Sequence, residues 1–99
     1  TKHWVLGLTR AVAADCAAAG IRRDRVLPGD METPMILEHF AASPDPATAR
    51  AEMEGNYPIG RIARPREVAS AILFLASEEA SFITGAHLLV DGALTAKTY

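Results

Sequence analysis

Cysteine is almost absent from this chain. Cys16 is the only one in 99 residues, so no intramolecular disulfide can form. It sits among alanines and reads as a small core residue, and the scarcity fits a reducing compartment, most simply the cytoplasm. The three histidines, His3, His39 and His87, share no ligand spacing with it, so no metal site is expected. Neither sign of charge is in excess: 10 Lys and Arg face 12 Asp and Glu, interspersed, for a net charge of -2. A nucleic-acid partner and a polybasic membrane segment are therefore not expected. Long apolar runs are missing too, so no membrane-spanning helix is expected, and no signal peptide is visible.

What is present is ordinary for a soluble globular protein, 49% hydrophobic and 22% charged. The length allows one domain at most, able to bury about two-thirds of its unfolded surface. Residues 2–19 read as a helix, because Val5, Leu8, Val12 and Cys16 recur at helical spacing and Gly20 follows as a stop. Its alanines make it thin enough to lie close to a sheet or another helix, and Gly7 is expected to mark close packing. The stretch "IRRDRVL", residues 21–27, lies between this helix and Pro28-Gly29 and reads as a strand, although Arg23, Asp24 and Arg25 are poor strand residues.

Thr33-Pro34 can start a short helix carrying Met35, Ile36, Leu37 and Phe40, and "SPDP" breaks it. Asp45 can cap a second, opening at Pro46 and stopping at Gly55. Pro65 opens a stronger helix with Val68, Ala71, Ile72 and Leu75 on one face and Glu67 in its first turn. "SFITG" is a turn, and "AHLLVDG" a short strand closed by Asp91-Gly92. Strands alternating with helices imply an α/β fold with a parallel sheet. Two strands are too few for a doubly wound sheet, and the helix at 2–19 has no strand before it, so only the second half of such a fold is expected here.

Four stretches, in this order, resemble the C-terminal part of the short-chain dehydrogenase/reductase family: "TKHWVLGLTRAVAAD", "PGDMETP", "GRIARPREVASAILFLASEEASFITG" and "VDGA". The first is similar to the active-site helix, where a Tyr is followed by three residues and then Lys. The second is similar to the Pro-Gly-x-x-x-Thr nicotinamide loop. The resemblance covers essentially the whole chain. It implies one partial domain over residues 1–99, the C-terminal segment of a Rossmann-like doubly wound parallel sheet whose N-terminal half is absent. It also implies NAD or NADP as cofactor, and interconversion of a small-molecule alcohol and a ketone by hydride transfer.

By that resemblance Lys2 is the catalytic lysine, which also bonds the nicotinamide ribose. Lysine four residues after tyrosine lies on the same helix face, and its ammonium lowers the phenol pKa from about 10. The matching tyrosine would lie four residues before Lys2, ahead of Thr1. Tyr57 and Tyr99 have no lysine four residues on and are no substitutes. The resemblance makes Pro28 and Gly29 the shapers of the cofactor turn. It gives the Met31 backbone to the nicotinamide carboxamide, and the Thr33 hydroxyl to the carboxamide or pyrophosphate, while Thr33 can also cap the following helix. Residues 34–57 take the place of the substrate loop, with Met35, Leu37, His39 and Phe40 as candidate substrate contacts. That segment resembles the loops of members acting on small hydroxy acids or sugar acids. Arg61, Arg64 and Arg66 read as a solvated basic edge.

The sequence departs from the family pattern at Trp4, where a small residue is favoured, at Arg23, Asp24 and Arg25 in the strand, and at Ala93, where a second glycine is usual. Without the proton donor and the phosphate-binding half, the 99 residues alone are expected to be inactive. The alternative reading is a non-catalytic assembly fragment, because in the family the counterparts of 2–19 and 65–91 make subunit contacts. Either way, a homo-oligomer, dimer or tetramer, through those segments is expected.

Overall fold

The computed structural model describes the backbone of residues 2–96 and the side chains of residue 5 and residues 7–96. In chain order the elements are α1 (Lys2–Cys16), β1 (Arg25–Pro28), α2 (Pro34–Ala41), α3 (Pro46–Glu54), α4 (Pro65–Ala76) and β2 (His87–Val90), with 3-10 turns at Ala17–Ala19, Glu78–Ala80 and Leu94–Ala96. The two strands pair in parallel, Arg25 N–H donating to the Ala86 carbonyl at 2.9 Å and Gly29 N–H to that of Val90 at 3.0 Å. This is the two-stranded α/β fragment the element order implies. The chain divides into two compact units, Thr1–Leu27 with Ser70–Leu89, and Pro28–Ala69 with Val90–Tyr99.

In the first unit, α1 tightens into a 3-10 turn and ends at Gly20. Gly20 has φ 78°, a left-handed conformation that glycine adopts without strain, and Ile21 N–H reaches back to the Cys16 carbonyl at 3.4 Å. Ala13 and Thr9 are buried, and a Cβ on Gly85 would meet the Ala13 methyl at 3.4 Å. The alanine-rich helix thus lies close to the segment leading into β2. Gly7 departs from expectation: among the described residues, a Cβ there would meet nothing within 4 Å.

The strand is shorter than "IRRDRVL" suggested, because the side chains before Arg25 make non-ladder contacts. The Arg22 guanidinium donates to three carbonyls, Leu75 at 2.8 Å, Ser77 at 3.2 Å and Ile83 at 3.2 Å. Asp24 accepts the Ala86 N–H at 2.8 Å and pairs with Arg22 at 3.5 Å, while Arg23 is exposed. Of the residues that read badly as strand, Asp24 is thus a side-chain fastener to the segment ahead of β2, and Arg25 opens the strand.

In the second unit, Phe40, Tyr57 and Ile62 form a core, 5%, 5% and 2% exposed, with Ile36, Ala49, Met53 and Leu94 packed around it. Both small helices start as their sequences predict. Thr33 Oγ1 accepts the Ile36 N–H at 3.3 Å ahead of Pro34, and Asp45 accepts the Thr48 N–H at 3.3 Å ahead of Pro46. At the head of α4, Glu67 accepts the Arg64 N–H at 2.9 Å and a two-pronged pair from Arg61 at 2.7 and 2.9 Å. The Arg61 bonds lower the Glu67 carboxyl pKa to about 2, which leaves Arg61 engaged rather than open to an anion. On the predicted face of α4, Val68 and Leu75 are buried, while Ile72 is exposed, as are Leu73 and Phe74.

Candidate functional site

The loop after β1, residues 29–33, is fastened residue by residue. Gly29 N–H is taken by the Val90 carbonyl. Asp30 N–H donates to the Tyr57 hydroxyl oxygen at 2.7 Å, and that hydroxyl donates in turn to Asp30 Oδ2 at 2.6 Å. The Tyr57 ring lies against Gly29, where a Cβ would come within 2.8 Å of ring carbon Cε1, so any larger residue forces the ring or the loop to shift. Met31 forms a parallel bridge with Ala63: the Asp30 carbonyl accepts from Ala63 N–H at 2.9 Å, and Glu32 N–H donates to the Ala63 carbonyl at 2.9 Å. The Glu32 carboxylate is paired with Arg50, which also contacts Glu54 at 3.5 Å and stands over the Phe40 ring at 5.7 Å.

In such a bridge the bridged residue's own amide and carbonyl point away from the partner segment. The Met31 carbonyl takes the Thr33 N–H at 2.7 Å. Among the described residues, the Met31 N–H is then the one amide of residues 29–33 with no partner in the chain. Thr33 Oγ1 is used as an acceptor by the helix cap, so its own proton remains available to donate. Pro28, Gly29, Met31 and Thr33 thus lie along one turn that offers two free donors.

The other predicted residues fare differently. Lys2 opens α1, as expected, but its side chain and that of Trp4 lie outside the described residues. Met35 and Leu37 are open to contact, at 74% and 45% exposure, and His39 is exposed with its ring centroid 6.1 Å from that of Phe40. Phe40 itself belongs to the core. No group of three or more His, Cys, Asp or Glu able to hold a metal occurs among the described residues. A cavity of about 620 Å³ in the first unit, lined by Ile21, Arg22, Glu78 and Phe82, includes none of the predicted site residues.

Sequence reasoning missed Tyr57 and Asp30. Burial raises the Tyr57 phenol above its ordinary pKa, and its bond to the Asp30 carboxylate adds to this, so it is a neutral structural hydroxyl rather than an activated one. The available signal was slight, an aromatic residue inside a short Gly- and Pro-containing connection, "GNYPIG".

Residues 1–95 match the family model described as enoyl-(acyl carrier protein) reductase. The chain is 50% identical over 95 residues to a cis-4-hydroxycyclohexanecarboxylate dehydrogenase of Sinomonas cyclohexanicum, covering 96% of this chain and 36% of that protein. It is 46% identical over 96 residues to a cyclohexanol dehydrogenase of Acinetobacter sp. (strain SE19), covering 97% and 35%. An aldohexose dehydrogenase of Thermoplasma acidophilum, in a form lacking its C-terminal residues, superposes with a TM-score of 0.84 at 40% identity, over 97% of this chain and 44% of that one. The chain spans little more than a third of the length of these two curated relatives.

Proposed function

Because the chain belongs to the short-chain dehydrogenase/reductase family, we propose that it is the C-terminal part of a cytoplasmic NAD- or NADP-dependent oxidoreductase that interconverts a secondary alcohol and a ketone. The observation that carries this reading is the unpaired Met31 N–H, held outward by the bridge to Ala63. The residues present fit a nicotinamide. The Met31 amide donates to the carboxamide oxygen, and Thr33 donates its hydroxyl proton to the carboxamide or pyrophosphate. The nucleotide supplies the hydride acceptor or donor. Lys2 bonds the ribose and, from the first turn of α1, stabilises the phenolate of a tyrosine one helical turn earlier, lowering the barrier to proton transfer. Residues 34–57 meet the substrate with Met35, Leu37 and His39. The relatives act on hydroxylated cyclohexane rings, and an alcohol on such a ring is the substrate class proposed here.

That tyrosine is not among the 99 residues, so the chain by itself does not turn over. The test pairs NAD(P)H fluorescence with turnover of cyclohexanol-type alcohols, for the full-length protein carrying this chain and for the 99 residues alone. The full-length protein is expected to bind the nucleotide and turn over, and the 99 residues to do neither. Turnover by the 99 residues, or no nucleotide binding by the full-length protein, sinks the reading.

A second reading rests on bare apolar surface. Leu73 on α4 and Phe82 after it are 71% and 102% exposed, and Ile72 and Phe74 are exposed as well. Such surface favours association, and we place subunit contacts of a dimer or tetramer on 2–19 and 65–91. Analytical ultracentrifugation decides it, a monodisperse monomer counting against it.

A further inference from the structure

We infer that Tyr57 is a positioning residue for the cofactor loop, transmitting the state of segment 34–57 to the nicotinamide-binding amide at Met31. The inference rests on the reading of Pro28–Thr33 as the nicotinamide loop. Tyr57 lies just beyond α3, after Gly55 and Asn56, and its ring is part of the core that α2 and α3 share. Its hydroxyl grips Asp30 twice, through the backbone N–H and through the carboxylate. Asp30 immediately precedes Met31, so this grip fixes the preceding peptide and the Asp30 side chain, while the peptide plane that carries the free amide is held through the Asp30 carbonyl by the Ala63 N–H. The Arg50–Glu32 pair fastens the other side of Met31 to α3. Besides the backbone bridge to Ala63, the loop thus has a side-chain anchor on each flank of its one free amide, and both of these side chains are on the segment placed over the substrate. Movement of that segment shifts both neighbours of Met31 against the Ala63 bridge and so changes how the Met31 N–H is presented.

The test uses the full-length protein, titrated with NADH and NADPH and assayed at steady state. Tyr57→Phe keeps the ring against Gly29 and removes both hydroxyl bonds. It is expected to raise the nucleotide Kd and KM about 5-fold, with kcat at saturating nucleotide nearly unchanged. Asp30→Ala, at an exposed position, is expected to raise Kd about 3-fold, and Asp30→Asn, which keeps an accepting oxygen, to restore it. The double variant Tyr57→Phe with Asp30→Ala is expected to be no worse than Tyr57→Phe alone. If Tyr57→Phe lowers the melting temperature but leaves Kd unchanged, Tyr57 is merely structural and the inference falls. If Tyr57→Phe does not fold, the Asp30 pair decides: equal Kd values for Ala and Asn overturn it. Wild-type protein that binds neither nucleotide removes the nicotinamide-loop reading itself, a failure distinct from that of the Tyr57 anchor.

Discussion

Two loops follow the two strands, and they are held by different means. The loop after β1 borrows its order from distant residues: Tyr57 against Gly29 and Asp30, Ala63 against Met31, Arg50 against Glu32. The loop after β2 satisfies most of its polar groups from within, although the Gly92 carbonyl takes the Ile59 N–H at 3.3 Å. Asp91 accepts the N–H groups of Ala93 and Thr95, both at 3.1 Å, and the Thr95 hydroxyl at 2.6 Å. Its distant contacts are Gly92 with Ile59 and Leu94 with the core. Ala93, where the family's usual glycine is replaced, has φ 70°, a left-handed geometry costing about 1 kcal/mol in a residue with a Cβ. The difference teaches that the loop proposed to bind a cofactor is the one whose shape depends on residues far away in sequence, and so is the one that another segment can move.

Three perturbations separate the two loops. The largest is Gly29→Ala, which forces a methyl into the Tyr57 ring. It should destabilise the protein by about 1–3 kcal/mol in urea unfolding and weaken nucleotide binding with it. Wild-type stability would mean that the ring has room to retreat. Next is Asp91→Ala, which removes the acceptor that orders the second loop and should cost about 1 kcal/mol, like the loss of a helix cap, while nucleotide affinity stays as it was. A matching loss of affinity would erase the distinction between the loops.

The smallest effect is a pH dependence of opposite sense. The Tyr57 phenol titrates above its ordinary 10.0, chiefly because it is buried, so its contribution is complete below pH 10 and is lost as pH rises through the folded-state value. The Asp91 carboxyl titrates below its ordinary 3.8, chiefly because Thr95 donates to it, so its contribution is present above that value and is lost as pH falls through the folded-state one. Urea midpoints across pH should therefore fall at the alkaline end for wild type but not for Tyr57→Phe, and at the acid end for wild type but less so for Asp91→Ala.

Much of the frame was legible because its signals are local. Gly20 ends α1, Thr33-Pro34 and Asp45-Pro46 start their helices, and Pro65 starts α4. Each depends on residues within one turn, so position in sequence carries the information. The candidate loop was legible as Pro28-Gly29 followed by Thr33, through family resemblance. The fasteners were not. Arg23, Asp24 and Arg25 looked like residues spoiling a strand. The structure starts that strand at Arg25 and engages Arg22 and Asp24 with groups more than fifty positions away.

By itself the sequence determined the element order, the helix caps, the turn after β1 and the family. These follow from backbone preferences and short-range hydrogen bonds that hold in any tertiary setting. Only the tertiary structure decided that Met31 keeps a free amide, that Tyr57 and Asp30 hold it in place, and that Phe40 lies in the core rather than at the surface. Each of those depends on which distant group arrives within about 3 Å to satisfy a buried donor or fill a gap, and no local pattern records that.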